Sequence, residues 1–143
     1  MICHGNICRS PYLEALLKSA LPAMEISSAG FVGAGRGVPP HSTEVSAKKG
    51  LDLSAHRSRL ITGDILERSD LFIVMDENQA RALQHGFDVA PEQIVVAGDL
   101  DPESNHGRTI MDPWGQSINA FESSFRRLDR IAAYFVSLMN EPR

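Results

Sequence analysis

Two cysteines, an arginine and a serine stand close together near the amino end of this 143-residue chain. The segment reads Cys3-His4-Gly5-Asn6-Ile7-Cys8-Arg9-Ser10-Pro11. Serine followed by proline favours the start of a helix, with Ser10 as the N-cap. A loop that bends into a helix amino terminus directs several unpaired N–H groups at one point, where phosphate binds readily. The pattern therefore predicts an anion-binding loop, in which the planar guanidinium of Arg9 holds two oxygens at once.

Cys3 opens this loop, where the positive field of a helix terminus and of Arg9 favours an ionised thiolate. A thiolate held beneath a bound phosphoryl group is a nucleophile. Gly5 permits a sharp backbone turn, and Asn6 is among the few non-glycine residues that tolerate a positive φ. Ser10 has a hydroxyl that can donate a hydrogen bond to Cys3 and ease the departure of the thiolate. These residue types predict phosphoryl transfer through a covalent cysteine intermediate.

Two other interpretations of the segment stay open from the residues alone. Cys3 could be a structural cysteine buried beside a glycine turn. Cys3, His4 and Cys8 could also bind a metal, although zinc sites usually draw a second ligand pair from farther along the chain. No cysteine follows Cys8. We therefore expect neither a metal nor another cofactor.

Composition limits the class of protein. Length, 43% hydrophobic residues and 22% charged residues suit one globular domain over 1–143. A net charge of -4 disfavours nucleic-acid binding, which needs a basic face. No apolar run is long enough for a membrane span, and no secretory signal opens the chain. With only two cysteines a disulfide scaffold is not expected, and a free reactive thiol fits a reducing cytoplasm.

The elements that must position the loop alternate between helical and strand-like patterns. Apolar spacing and capping residues predict helices over 12–21, 43–49, 62–68, 77–84 and 117–140. Strand candidates are 25–29, 70–75 and 94–97, and predicted loops are 31–40 and 105–115. This alternation predicts an α/β fold with a parallel sheet, whose ligand lies outside the carboxyl ends of the strands.

The segment from Cys3 to Pro11 resembles the phosphate-binding signature of the low-molecular-weight protein tyrosine phosphatases, C-x-G-N-x-C-R-S-P. Other segments agree in the family's order: Ser28-Ala29-Gly30, Gly50-Leu51-Asp52-Leu53-Ser54-Ala55-His56-Arg57, Val74-Met75-Asp76 and Asp112-Pro113-Trp114-Gly115. The resemblance covers nearly the whole chain. It implies a four-stranded parallel sheet flanked by helices, with the loop between the first strand and the first helix. It also implies a phosphatase for phosphoproteins, above all phosphotyrosine, that needs no metal.

The resemblance assigns roles to individual residues. Cys3 would form the phosphocysteine, and Arg9 would hold the phosphoryl oxygens. Asp112, in an Asp-Pro pair, would protonate the leaving oxygen and then activate water. The remaining members of the phosphate-binding loop would be His4, Gly5, Asn6, Ile7, Cys8 and Ser10. Cys8 would also be placed to form a protective disulfide with Cys3 under oxidation.

Support and pocket residues follow from the same resemblance. Ser28 and His56 are candidates to hold Asn6 in its strained turn. Many members carry an aromatic wall residue after the Ser-Ala-Gly segment, where the stretch Phe31-Val32-Gly33-Ala34-Gly35-Arg36-Gly37 of this chain puts small residues near that place. The aromatic candidates for the wall are Tyr12, Phe31 and Trp114. Related protein-arginine phosphatases typically have threonine at the position of Ile7, and an apolar residue there suits an aryl ring.

Only Met1 and Ile2 precede Cys3, where family members have several strand residues. We expect a shortened first strand, arising from a start inside a longer reading frame or from a truncated and less stable form.

Two alternative functions stay open. One is an arsenate reductase on the same scaffold, relayed by glutathione or glutaredoxin. The other is a catalytically weak anion-binding module. The expected partner is a phosphorylated protein or aryl phosphate, without nucleic acid or membrane, and the oligomeric state is not predicted.

Overall fold

A four-stranded parallel sheet forms the centre of the protein in a computed structural model, which describes residues 1–142 apart from the side chain of Ser104. The strands are β1 (Ile2–Cys3), β2 (Ala29–Gly30), β3 (Phe72–Val74) and β4 (Ile94–Val96). Their spatial order is β2-β1-β3-β4, and every neighbouring pair is parallel. The predicted fold is confirmed. Because β1 is central, the loop after Cys3 leaves from the middle of the sheet's carboxyl edge.

Five α-helices flank the sheet within residues 1–142. They are α1 (Arg9–Ala20), α2 (Pro40–Lys48), α3 (Gly63–Arg68), α4 (Glu77–Phe87) and α5 (Ile118–Met139). Every predicted helix is present, with shifted ends. Helix α2 begins earlier than predicted because Pro40 already has the φ that a first turn needs. Helix α4 runs past Gln84 and ends where Asp88 takes the left-handed conformation, with φ 54°.

Short 3-10 turns complete the chain at Pro91–Gln93, Ala97–Leu100 and Ser104–His106. The last of these lies partly in the predicted loop 105–115. No helix in the part of the chain that the structure describes is long and apolar enough to cross a membrane.

Side chains of the strands alternate between two apolar cores. Ile73 joins the core on the side of α1 and α5, whereas Phe72 and Val74 face α4 on the other side. The first core includes Cys3 together with Tyr12, Leu13, Leu17, Phe121, Phe125 and Leu128. The two faces of the sheet are thus both covered, and Cys3 lies on the α1 and α5 side.

Strand β1 has two residues and is nevertheless paired on both sides. Ile2 stands opposite Ala29 and Val74 in the two neighbouring strands. Strand β2 shares only Ala29 with the predicted 25–29 and adds Gly30, because the residues of β1 with which it pairs, Ile2 and Cys3, set its position. The Ala29 amide also donates a 3.0 Å hydrogen bond to the Met1 carbonyl.

Candidate active site

The predicted anion loop connects β1 to α1 at the carboxyl edge of the sheet. Helix α1 begins at Arg9, and its N-cap residue Cys8 makes no side-chain capping hydrogen bond. The prediction that Ser10 caps this helix is wrong, because Ser10 lies inside the first turn and its hydroxyl is directed at Cys3. The first N–H groups of α1 lack an intrahelical acceptor, so they form a natural seat for an anion.

Asn6 leaves the Ser10 hydroxyl proton free to form a hydrogen bond to Cys3. Its Nδ2 atom donates to Ser10 Oγ over 2.8 Å, and an amide nitrogen can only donate. Ser10 therefore accepts from Asn6 and has its own proton available for Cys3, whose Sγ lies 3.0 Å from Ser10 Oγ. Asn6 is fully buried and takes the positive φ that the sequence predicts, 53°. The arrangement supplies one hydroxyl donor to the sulfur of Cys3.

A second branch of this network ends on a buried carboxylate. Asn6 Nδ2 also donates to Ser28 Oγ over 2.8 Å, and Ser28 in turn donates to Glu14. Glu14 is almost buried, and Lys18 Nζ lies 2.7 Å from its carboxylate. The sequence pattern did not single out Glu14. Its place four residues after Ser10 and four before Lys18, on one helix face, is the signal that could have done so.

His56 and Arg59 hold the loop from its other side. His56 Nε2 lies 2.7 Å from the Asn6 carbonyl oxygen, and the Arg59 amide donates to Asn6 Oδ1 over 3.0 Å. The Arg59 guanidinium also donates to the Ser28 carbonyl over 2.9 Å. The structure therefore brings both predicted support residues, Ser28 and His56, to Asn6. Arg59 carried no signal in the sequence because its bond to Asn6 comes from the backbone.

Arg9 lies at the end of the loop and is only 3% exposed. Its Nη1 donates to the Ile110 carbonyl over 2.8 Å, and its Nη2 lies 3.5 Å from Asp112 Oδ2. Arg9 Nε is buried and has no hydrogen-bond partner among the described residues. A buried charged donor without an acceptor costs more than an ordinary hydrogen bond contributes. An oxyanion in the loop would supply the acceptor that this nitrogen lacks.

The segment that carries Asp112 is held at the end of β3 by a backbone hydrogen bond. The Ile110 amide donates a 2.9 Å hydrogen bond to the carbonyl of Met75, which directly follows that strand. The Asp112 side chain is 45% exposed, and its Oδ1 accepts from the Trp114 amide over 3.2 Å. The structure thus joins Cys3, Arg9 and Asp112 at one edge of the sheet, with the carboxylate on the solvent side.

Cys8 is the second cysteine of the anion loop. Burial, together with the nearby Asp112 carboxylate, raises the pKa of the Cys8 thiol to about 12. Cys8 is therefore a neutral thiol near pH 7. Both cysteines are free in the structure. Ile7 is also nearly buried and packs in the same core, so its side chain contributes mainly to packing.

Tyr12 does not line a pocket, contrary to the prediction. Its side chain is fully buried, its ring stacks on Phe125 at a centroid distance of 4.0 Å, and its hydroxyl donates to Asp129 over 2.6 Å. The reason is the helical position of Tyr12, which turns the ring towards α5 and away from the loop.

The other two aromatic candidates lie closer to the site. The Phe31 amide donates to the His4 carbonyl over 2.9 Å, but the Phe31 ring packs against Phe87 of α4, with centroids 6.2 Å apart. Trp114 is 62% exposed and two residues from Asp112. The ring of Trp114 is therefore largely exposed, and the Trp114 backbone contacts the Asp112 carboxylate.

Arg36 is the large side chain that the glycine-rich loop 33–37 contributes. Its guanidinium donates to the Gly5 carbonyl over 3.2 Å, so it lies against the anion loop. The sequence pattern missed Arg36 because only small residues were expected here. No group of three or more His, Cys, Asp or Glu side chains within residues 1–142 could hold a metal ion.

The family described as Low molecular weight phosphotyrosine protein phosphatase matches residues 1–142. A curated relative, the probable low molecular weight protein-tyrosine-phosphatase EpsP of Ralstonia nicotianae, is 36% identical over 132 residues. That alignment covers 91% of this chain and 87% of the relative.

Solved structures of phosphatases are also similar to this chain. The crystal structure of the tyrosine phosphatase AmsI of Erwinia amylovora has a TM-score of 0.89 and 30% identity, covering 98% of this chain and 91% of that one. A mutant of the YwlE arginine phosphatase with a phosphorylated active-site serine has a TM-score of 0.88 and 25% identity. That alignment covers 99% of this chain and 95% of the YwlE chain.

Proposed function

This chain belongs to the low-molecular-weight protein-tyrosine-phosphatase family, and from that premise we propose that it hydrolyses phosphotyrosine in proteins through a phosphocysteine on Cys3. The buried Nε of Arg9 carries the proposal, because among the described residues it has no hydrogen-bond partner and the adjacent helix terminus has no side-chain cap. A phosphoryl group in the loop would satisfy this nitrogen and the first N–H groups of α1 together.

The first chemical step transfers the phosphoryl group to sulfur. The Cys3 thiolate attacks phosphorus, the bond to the tyrosyl oxygen breaks, and Asp112 gives that oxygen its proton. Arg9 and the loop amides hold the equatorial oxygens, so that catalysis consists mostly of positioning and charge stabilisation. The Ser10 hydroxyl, 3.0 Å from Cys3 Sγ, stabilises the anionic sulfur.

The second step returns the enzyme to its starting state. Water attacks phosphorus, the Asp112 carboxylate takes a proton from it, and the sulfur–phosphorus bond breaks to release inorganic phosphate. The hydrogen bond from Ser10 makes the Cys3 thiolate a better leaving group in this step. Asp112 is suited to act as the acid of the first step and the base of the second because its carboxylate is half exposed. Its Oδ2 atom lies 3.5 Å from Arg9 Nη2. Neither step needs a metal ion, since the loop and Arg9 supply positive charge.

Support for tyrosine as the phosphorylated residue comes from the relatives and from the site. EpsP and AmsI are named tyrosine phosphatases, whereas the YwlE mutant is named an arginine phosphatase at lower identity. The exposed ring of Trp114 beside Asp112 offers a surface against which an aryl group can stack. A reducing cytoplasm is the proposed compartment, because a free nucleophilic thiol persists there.

The test is turnover of p-nitrophenyl phosphate and of matched phosphotyrosyl and phosphoarginyl peptides. The wild-type chain should hydrolyse the aryl ester and prefer the phosphotyrosyl peptide, and rapid quenching should trap phosphate on Cys3. Cys3→Ser should lower kcat by about 10³-fold or more while phosphorus NMR still detects bound phosphate.

Other outcomes of this test would support the alternatives. Phosphate binding by the wild-type chain without turnover would make it an anion-binding module. Arsenite release that depends on glutathione or glutaredoxin, without ester hydrolysis, would make it an arsenate reductase. Preference for the phosphoarginyl peptide would contradict the proposed substrate.

A further inference from the structure

Two exposed arginines of the segments beside the anion loop, Arg36 and Arg57, form no ion pair among the described residues. Their guanidinium groups donate hydrogen bonds to backbone carbonyls: Arg36 to those of Gly5 and Val32, and Arg57 to those of Ser54 and His56. Other exposed arginines such as Arg68 and Arg108 form ion pairs. On a chain with net charge -4, two unpaired guanidinium groups on one side of the site leave a local positive surface.

Arg36 is held in place by its backbone. Its amide donates to Ser58 Oγ over 3.0 Å, and the Ser58 amide donates to the Arg36 carbonyl over 2.7 Å. Ser58 is buried and stands between His56 and Arg59, the two residues that hold Asn6. The segment that supports the anion loop therefore also fixes the position of Arg36.

The Arg36 side chain lies over Gly5 of the anion loop. A Cβ atom at Gly5 would stand 2.8 Å from Arg36 Nη2, so the guanidinium uses the space that glycine leaves. Arg57 Nη1 would stand 3.6 Å from a Cβ at Gly37, the residue after Arg36. The two guanidinium groups thus flank one stretch of the glycine-rich loop at the rim of the site.

The rim arginines differ from Arg9 in what they can bind. Arg9 is almost fully buried at the end of the loop and suits the phosphoryl group itself. Arg36 and Arg57 are exposed, so they face parts of a substrate that remain outside the loop. A guanidinium binds a carboxylate through two parallel hydrogen bonds, and an exposed pair of this kind adds modest, salt-sensitive affinity.

We propose that Arg36, with Arg57 beside it, binds the carboxylate of an acidic residue that flanks the phosphorylated residue of the protein substrate. The inference rests on the proposed phosphatase function and adds a preference for acidic sequence context. The contact lies at the exposed side of the anion loop and not on the phosphoryl group, so it acts on substrate selection through kcat/KM.

The experiment compares two phosphotyrosyl peptides that differ only in flanking Glu or Gln residues. The wild-type chain should favour the Glu peptide by about three- to tenfold in kcat/KM, and about 0.5 M NaCl should abolish most of that ratio. Arg36→Gln should bring the ratio close to one, and Arg36→Lys, which keeps the charge, should retain part of it.

Arg126→Gln is the matched control, since Arg126 is an exposed arginine on α5 with no salt bridge among the described residues. It should leave both the turnover and the ratio unchanged.

A wild-type ratio of one with full turnover of the Gln peptide would overturn this inference and leave the phosphatase function intact. The inference would also be overturned if Arg126→Gln lowered the ratio of kcat/KM values for the Glu and Gln peptides as much as Arg36→Gln does. The preference for the Glu peptide would then come from the net charge of the protein and not from a contact with Arg36. Failure to hydrolyse either peptide would overturn the proposed function and this inference with it.

Discussion

The side-chain carbonyl of Asn6 accepts a 3.0 Å hydrogen bond from the backbone amide of Arg59. A backbone amide can only donate, so this contact fixes the orientation of the Asn6 side chain and turns its NH₂ group towards Ser10 and Ser28. That one contact sets the direction of the hydrogen bonds from Asn6 to Ser10 and Ser28, and it leaves the Ser10 proton available to Cys3.

Asn6→Asp tests this polarity with almost no change in size. A carboxylate keeps the acceptor for Arg59 but offers Ser10 an acceptor in place of a donor, so the Ser10 proton turns away from Cys3. We expect kcat to fall by about 10–100-fold with a smaller change in KM. Steady-state kinetics with p-nitrophenyl phosphate measure this effect. Ser28→Ala, which removes only the branch towards Glu14, should cost less. Equal activity of wild type and Asn6→Asp would contradict the assigned direction.

Asp112→Asn tests the acid role by leaving-group dependence. An amide cannot protonate the leaving oxygen, and esters with poor leaving groups need that proton most. The loss for phenyl phosphate should be about 10²–10³-fold, and for 2,4-dinitrophenyl phosphate it should be about tenfold or less. Measurement of kcat/KM across a series of aryl phosphates gives the slope. The same loss for every ester would assign Asp112 a different role.

Gly30→Ala tests how tightly β2 packs against the anion loop. A Cβ atom at Gly30 would lie 2.9 Å from both the Asn6 amide nitrogen and the His4 carbonyl oxygen. The clash should cost about 1–3 kcal/mol of stability and shift the loop, with a loss of about tenfold in kcat/KM. Urea denaturation and steady-state kinetics measure the two effects.

Gly86→Ala is the control for that substitution. Gly86 lies inside α4 with open space around it, so alanine should raise stability by about 0.5–1 kcal/mol and leave activity unchanged. If Gly30→Ala behaved like Gly86→Ala, the contact between β2 and the loop would be looser than described.

Asp101→Asn tests the ion pairs behind the acid loop. Asp101 Oδ2 lies 2.8 Å from Arg127 Nε and 2.9 Å from Arg130 Nη2, and Arg127 also donates to the Thr109 carbonyl over 2.7 Å. Burial opposes ionisation of Asp101, but the hydrogen bonds from Arg130 and Arg127 prevail and hold its pKa well below the ordinary value. Removing the charge should cost roughly 3–5 kcal/mol at neutral pH.

The pH dependence of that loss has a definite sign. The pKa of Asp101 is lower in the folded protein, so its contribution is present above the ordinary carboxyl pKa and is lost as pH falls below it. Urea denaturation at neutral pH and near pH 3 should therefore show a smaller gap between wild type and Asp101→Asn in acid. Asp64→Asn, at an exposed ion pair, should change stability by less than about 1 kcal/mol. A gap that grew in acid would contradict the assignment.

Local apolar spacing predicted the five helices, three of the four strands and a parallel sheet, whereas the first strand was expected only from the family resemblance. The sequence also predicted the anion loop, because Cys3, Gly5, Asn6 and Arg9 lie within one short segment. Element ends were less predictable: β2 is limited by its partner strand, and Ser10 serves the loop instead of capping α1. The ends of helices and strands depend on contacts with residues that are distant in sequence.

Contacts between distant segments explain what the sequence did not reveal. Arg59 meets Asn6 across 53 positions through a backbone amide, which leaves no pattern in residue types. Arg36 lies in a stretch of small residues and gains its place only when that stretch pairs with Ser58. Tyr12 is a candidate for the pocket wall as one of the aromatic residues that could replace the family's wall residue, but its helical position turns it into the core.

The solvent-facing position of Trp114 gives the protein a built-in optical reporter. The chain has a single tryptophan, so all indole fluorescence originates two residues from Asp112. A ligand ring that stacks on Trp114 will exclude water from the indole and change its emission. Stopped-flow fluorescence can therefore follow substrate entry and product departure in unlabelled protein, separately from the bond-breaking steps.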